Sequence, residues 1–136
     1  MKIANVMSRD IQVVNPTDTI TAVARRMSEV DSGVMPVVDG EDIVGVITDR
    51  DIVVRVVGEG RDSEISVAEV MTSPVVTCQE GESLKDAVKK MADLQMRRLV
   101  ILDEAGKLAG ILSLGDVARE ESAKLVGHVL EDISDD

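Results

Sequence analysis

The chain has 136 residues, of which 44% are hydrophobic and 30% are charged, and its formal net charge is -11. This composition is typical of a globular protein with an apolar core. The negative charge opposes long-range attraction to duplex DNA, anionic lipid and free nucleotide phosphates. Because the chain contains no Phe, Tyr or Trp, it offers no aromatic ring for base stacking. Composition therefore argues against nucleic acid as a partner.

The cysteine content and the apolar pattern limit the chemistry and the location. The single cysteine, Cys78, excludes an internal disulfide and a thiolate metal cluster. Its position at the end of a predicted strand indicates a small packing residue. We find no apolar run long enough to span a bilayer and no signal-peptide pattern in the first ten residues. We therefore expect no membrane association and a cytoplasmic location.

The sequence contains two similar halves. Residues 3–7 (IANVM) reappear 64 positions later as residues 67–71 (VAEVM), and the similarity continues into the following segments. We divide the chain into a first repeat with its linker, residues 1–64, and a second repeat with a C-terminal helix, residues 65–136. Each half alone is too small to bury a sufficient core. We therefore expect the repeats to pack together about a pseudo-twofold axis.

The sequence pattern of each repeat predicts the order strand, helix, strand, strand, helix. This order is typical of an α/β fold with a small sheet. Thr19 and Ser83 mark the starts of the first helices, and Asp86 completes a capping-box pattern with Ser83. The first repeat has its elements at residues 11–14, 20–30, 34–38, 43–47 and from 48 to about 58. The corresponding elements of the second repeat are at residues 75–78, 84–94, 99–102, 108–112 and from 113 towards the C-terminus.

A short motif recurs where the second hairpin strand of each repeat passes into a helix. It reads GVITDRD at residues 45–51 and GILSLGD at residues 110–116. The hydroxyl residues Thr48 and Ser113 stand at helix N-caps, and Asp51 and Asp116 follow three positions later, which is the spacing of a capping box. The same groups suit a nucleotide: a helix N-terminus attracts phosphate, and an ionised carboxylate accepts from ribose hydroxyls. Local sequence leaves both interpretations open.

In combination, these features resemble a known family. The openings VMS and VMT at residues 6–8 and 70–72, the PVV segment at residues 36–38 and the two Gly-to-Asp motifs are similar to a tandem pair of cystathionine β-synthase (CBS) domains, the Bateman module. The resemblance covers residues 3–117. It implies two packed repeats whose clefts bind AMP, ADP, ATP or S-adenosylmethionine. It also implies a homodimer and a separate, unknown effector protein.

The resemblance assigns ligand-binding roles to residues of both repeats. Arg97 and Arg98 stand where the first repeat has Gly33 and Val34. Since guanidinium groups bind phosphate with forked geometry, we expect the second repeat to provide the better nucleotide site, with Arg50 as a partial compensation in the first repeat, where the second has Gly115. The alternative is that Arg97 and Arg98 form surface salt bridges. The implied ligand-binding residues are Gln12, Val13, Gly33, Met35, Pro36, Thr48, Asp51, Thr77, Arg97, Arg98, Ser113 and Asp116.

Other residues give no sign of catalysis. His128 is the only histidine, and we expect it to face solvent or to pack. No nucleophile motif, catalytic group or metal-ligand spacing is recognisable, so we do not expect an enzyme. The basic pairs at residues 25–26 and 89–90 are expected to be solvated; the alternative is that they form part of a dimer contact. The alternative to a ligand-sensing module is a structural dimerisation module with empty clefts.

Overall fold

The computed structural model describes the backbone of residues 1–134 and the side chains of residues 1–124. The chain forms two compact units: the first unit is Asp10–Val76, and the second unit combines Met1–Arg9 with Thr77–Asp136. These units divide the chain differently from the predicted repeats 1–64 and 65–136. The opening segment of each repeat belongs to the compact unit that contains the body of the other repeat.

The first unit contains a two-stranded sheet whose two outer edges are extended by single residues. β1 (Val34–Asp39) and β2 (Asp42–Thr48) are antiparallel, with Val34 opposite Thr48. Val14 forms a parallel bridge to β1, and Thr72 forms an antiparallel bridge to β2. The elements are α1 (Ile20–Val30), β1 (Val34–Asp39), β2 (Asp42–Thr48) and α2 (Asp49–Ile52), which continues as a π-helical segment, Val53–Val57.

The second unit repeats this arrangement with a longer first strand. β3 (Thr77–Gln79) pairs in parallel with β4 (Arg98–Leu102), and β5 (Leu108–Ser113) pairs with β4 in the antiparallel direction. Ser8 bridges the far edge of β5 at Ile111, as Thr72 does on β2. The elements are β3 (Thr77–Gln79), α3 (Leu84–Leu94), β4 (Arg98–Leu102), β5 (Leu108–Ser113) and α4 (Leu114–Ser134).

Aliphatic residues and methionines form the interior of both units, which removes apolar surface from water. The buried cluster of the first unit consists of Val14, Ile20, Val23, Met27, Met35, Val37, Ile47, Val56, Val67 and Val70. Among the side chains that the structure describes, the buried apolar residues of the second unit are Ile3, Met7, Cys78, Leu84, Ala87, Met91, Leu99, Val100, Ile101, Ile111 and Leu112. Val23 and Met27 of α1 and Ala87 and Met91 of α3 therefore face the interior, and Cys78 is a packing residue.

The predicted α/β class and its element order are confirmed, with differences at element starts. In the predicted strand 11–14, Val14 is the residue that bridges β1, and β3 begins at Thr77 rather than at residue 75. Ser83 accepts a hydrogen bond from the Asp86 N–H at 3.1 Å, whereas no described hydrogen bond completes the expected capping box with the Asp86 carboxylate. Within residues 1–134, no helix is both long enough and apolar enough to cross a membrane.

Candidate functional site

The first junction, where β2 ends and α2 begins, is a reciprocal helix cap. The Thr48 hydroxyl oxygen accepts a hydrogen bond from the Asp51 N–H at 3.1 Å. In return, the Asp51 carboxylate accepts from the Thr48 N–H at 3.0 Å. These bonds satisfy N–H groups that a first helical turn leaves without partners. The capping-box interpretation is confirmed, and ligand binding remains compatible with it because the Thr48 hydroxyl keeps its own proton to donate.

Asp51 has further partners in the first unit. The Thr72 hydroxyl donates to Asp51 Oδ1 at 3.2 Å, and Arg55 Nε lies 3.9 Å from the same oxygen. Asp51 is 9% exposed, so both carboxylate oxygens are engaged and the side chain has a fixed orientation. Sequence reasoning missed both partners. The i,i+4 spacing of Arg55 was an available signal, whereas the approach of Thr72 depends on tertiary structure.

A second carboxylate, Asp49, lies at the first junction and was also missed. The Asp49 N–H donates to the Gly33 carbonyl oxygen at 2.9 Å, and Asp49 Oδ1 accepts from the Arg50 N–H at 2.8 Å. The other oxygen, Oδ2, lies 2.5 Å from the position that a Cβ on Gly33 would occupy. Gly33 therefore provides the space in which the Asp49 carboxylate lies.

The second junction, where β5 passes into α4, has the same cap with different surroundings. The Ser113 hydroxyl accepts from the Asp116 N–H, and the Asp116 carboxylate accepts from the Ser113 N–H, both at 3.1 Å. Asp116 Oδ1 also pairs with the Arg119 guanidinium, whose side chain is 75% exposed. The Asp116 side chain itself is 14% exposed. This carboxylate is therefore bound on one side by a fixed backbone group and on the other by a solvent-exposed arginine.

Arg97 and Arg98 lie beside the second junction. The Arg97 carbonyl oxygen accepts from the Leu114 N–H at 2.9 Å, which makes Arg97 the structural counterpart of Gly33. Arg98 is opposite Ser113 in the β4–β5 register, and cross-strand partners project to the same face of a sheet. Both arginines are exposed. Neither is in an ion pair with any side chain in the described part of the chain, so these contacts give no support to the salt-bridge alternative.

Met35 and Pro36, two further predicted ligand-binding residues of the first repeat, are buried. Met35 is 0% exposed, and Pro36 is buried, with its carbonyl oxygen accepting from the Val14 N–H at 3.1 Å. The Met35 side chain packs in the buried cluster of the first unit, and its role in ligand binding stays a prediction. Both residues are part of β1.

The predicted ligand-binding residues Gln12, Val13 and Thr77 precede the first helix of their unit. Arg26 donates to the Gln12 side-chain oxygen at 3.1 Å, whereas Val13 is 38% exposed. In the second unit, Lys90 donates to the Thr77 carbonyl oxygen at 2.9 Å. Arg26 is exposed, as expected for a solvated residue, whereas Lys90 is half-buried. Each of the two donates a hydrogen bond to the segment that precedes its helix.

Two other residues, Cys78 and His128, are not part of either junction. Cys78 is 4% exposed, and burial raises the pKa of its thiol, an effect that the nearby Lys90 ammonium group partly offsets. A buried, protonated thiol is a poor nucleophile and a poor metal ligand. His128 lies on α4, and its side chain is outside those that the structure describes.

A family model for the CBS domain matches residues 3–58 and 67–123. The chain therefore belongs to the CBS domain family and carries two copies of the domain. The CBS domain-containing protein YhcV of Bacillus subtilis (strain 168) is 38% identical over 133 residues, a match that covers 97% of this chain and 94% of YhcV.

Solved structures agree with this assignment. A protein with CBS domains from Burkholderia ambifaria MC40-6 superposes with a TM-score of 0.84 at 32% identity, covering 90% of this chain and 95% of that one. The CBS domain pair of protein MJ0100, solved with 5'-methylthioadenosine and S-adenosyl-L-methionine, gives a TM-score of 0.82 at 22% identity, with coverage of 91% and 98%. At that identity the second likeness is one of fold.

Proposed function

We propose that this protein is a regulatory module that binds an adenosine-containing ligand, either AMP, ADP, ATP or S-adenosylmethionine, at its strand-to-helix junctions. The observation that carries the proposal is the second junction: a carboxylate, a hydroxyl and two exposed arginines around the start of a long helix. Membership of the CBS domain family and the ligands of the MJ0100 pair support the same class of ligand.

The second junction offers a partner for each polar part of a nucleotide. The Asp116 carboxylate accepts from the ribose hydroxyls after the exposed Arg119 moves aside. The Ser113 hydroxyl has a proton to donate to a phosphate oxygen, and the N-terminal end of α4 contributes a partial positive charge. Arg97 and Arg98 supply the forked donors that phosphate prefers. The first junction lacks these arginines, so the second junction is the principal nucleotide site.

The regulatory output follows from a shift in conformational populations. A ligand favours whichever conformation binds it more tightly, and the size of the shift is limited by the difference in affinity. The favoured conformation presents a different surface to an effector protein, and the module acts as a homodimer without catalysing a reaction.

A thermal-shift screen with AMP, ADP, ATP and S-adenosylmethionine tests the proposal. A ligand at 100 times its Kd stabilises the folded protein by about 2.7 kcal/mol and raises Tm accordingly. Calorimetric titration then gives Kd and stoichiometry at fixed salt. If all four ligands bind no better than millimolar, the proposal fails.

One observation favours the alternative of a structural dimerisation module. Both hydroxyl–carboxylate pairs form helix caps, so their presence has an explanation without a ligand. Exposed valines of the π-helical segment, Val53, Val54 and Val57, would suit an interface. Under this alternative, Asp116→Ala lowers stability and changes no ligand affinity.

A further inference from the structure

We propose that Asp49 excludes phosphate from the first junction, so that this junction takes adenosine ligands without a phosphate while the second junction takes phosphorylated ones. The inference rests on the proposed function and deepens it by assigning a ligand class to each site. Asp49 is then a specificity-determining residue.

The position of the Asp49 carboxylate carries the inference. Its Oδ1 accepts from the Arg50 N–H at 2.8 Å, a backbone group at the start of α2 that an incoming anion would otherwise use. Its Oδ2 lies in the space above Gly33. The carboxylate therefore occupies both the hydrogen-bond donor and the volume next to it.

At the equivalent backbone contact, the second junction has a basic and an apolar residue in place of the acid and the glycine of the first junction. The hydrogen bond from the Asp49 N–H to the Gly33 carbonyl corresponds to the one from the Leu114 N–H to the Arg97 carbonyl, and both are 2.9 Å long. A glycine and an acid in the first unit are thus replaced by an arginine and a leucine in the second. A side chain on Gly33 would have to displace the Asp49 carboxylate from its position, so the glycine at position 33 allows the carboxylate to lie there.

The charges around the first junction disfavour a phosphate. Asp49 and Asp51 contribute two carboxylates. Arg55 is already engaged, because its guanidinium donates to the carbonyl oxygens of Val70 and Met71 and lies beside Asp51. Arg50, which is exposed, supplies one further guanidinium group against these two carboxylates, whereas at the second junction Arg97 and Arg98 accompany Asp116. A neutral nucleoside or a cationic sulfonium nucleoside avoids the repulsion that a phosphate meets there.

Matched exchanges of the two equivalent exposed positions test the inference. Asp49→Leu gives the first junction the residue of the second, and Leu114→Asp does the reverse; Leu114 is 40% exposed, so neither change disturbs the core. Adenosine and AMP are the paired probes, since they differ only in the phosphate. Binding is followed by calorimetry and by the backbone amide NMR signals of Gly33 and Arg50 for the first junction, and of Arg97 and Gly115 for the second.

We expect AMP to shift only the second-junction signals of the wild-type protein and to shift both sets in Asp49→Leu. Leu114→Asp should weaken AMP binding at the second junction about tenfold and change adenosine binding less than about twofold. Wild-type AMP binding at the first junction that is lost in Arg50→Gly would overturn the inference, as would an unchanged preference for adenosine over AMP in Asp49→Leu.

Inorganic phosphate alone separates this inference from the proposed function. Asp49→Leu should make the Arg50 amide respond to phosphate, whereas the wild-type amide should not respond. This result supports the exclusion even if no adenosine ligand binds. An Arg50 amide that behaves identically in the two proteins overturns the inference and leaves adenosine binding at the second junction untouched.

Discussion

The Met71 thioether packs directly against the backbone of Gly45. A Cβ on Gly45 would lie 2.5 Å from Met71 Sδ and 3.1 Å from the Thr72 carbonyl oxygen. The second unit repeats this contact: a Cβ on Gly110 would lie 2.7 Å from both Met7 Sδ and the Ser8 carbonyl oxygen. Each motif therefore begins with glycine because an opening segment from the other repeat packs against that position.

Gly45→Ala and Gly110→Ala should both destabilise the protein. The added methyl group must displace the thioether and the bridged backbone, and overpacking of this kind costs about 1–3 kcal/mol. Gly110→Ala should cost more, because a backbone carbonyl lies closer there and cannot rotate away. Urea denaturation measures the free energy of unfolding of each variant.

Gly81→Ala is the control for these two variants, since nothing lies within 4 Å of the position of its added Cβ. We expect its stability to stay within about 0.5 kcal/mol of wild type. Equal stability of all three variants would contradict the packing of the opening segments described above.

Asp51→Ala should destabilise the protein more than Asp116→Ala. Both variants lose a reciprocal cap, which costs about 0.5–2 kcal/mol. Asp51→Ala also leaves the Thr72 hydroxyl without its acceptor and removes the partner of Arg55, so we expect a further loss of about 1 kcal/mol. Thermal unfolding without ligand gives the difference. In the Thr72→Val background, the extra destabilisation of Asp51→Ala over Asp116→Ala should be smaller. If the full difference in stability persists, it comes from a contact other than the Thr72 hydrogen bond.

Cys78 should make stability fall in alkaline solution. Burial raises the pKa of its thiol, so the folded protein holds a proton that the unfolded chain releases once the pH passes the ordinary thiol value of about 8.5. The contribution of Cys78 is therefore complete below that pH and declines above it, by at most about 1.4 kcal/mol per pH unit. Unfolding free energies of wild type and Cys78→Ala between pH 7 and 10 measure this decline. A difference that does not change with pH would contradict it.

Most of the elements and both caps could be predicted from the sequence because they depend on local patterns, whereas the predicted strand 11–14 is reduced to the Val14 bridge. The buried residues Val23 and Met27 are spaced by about one helical turn. Thr48 and Ser113 each precede an aspartate by three positions, which is the spacing of a capping box. The bodies of the two repeats are similar enough for the equivalence of Gly33 with Arg97 to be read directly.

The packing of residues 1–9 and the partners of Asp51 could not be predicted in the same way. Whether an opening segment packs in its own repeat or with the other is decided by long-range contacts, such as the Val46–Thr72 bridge, which leave no periodic signal. The Asp49 carboxylate was missed because an acid in the first turn of a helix is ordinary. Its position depends on the absence of a side chain on Gly33, which is a feature of the tertiary structure.

Calorimetric titration of AMP into wild type, Asp51→Ala and Asp116→Ala at one salt concentration tests the central claim most directly. The claim is that the second junction is the principal nucleotide site. We expect saturable binding by the wild-type protein, retention of that binding by Asp51→Ala, and its loss by Asp116→Ala while that variant remains folded. AMP binding of equal affinity to folded Asp116→Ala and wild type would contradict the claim.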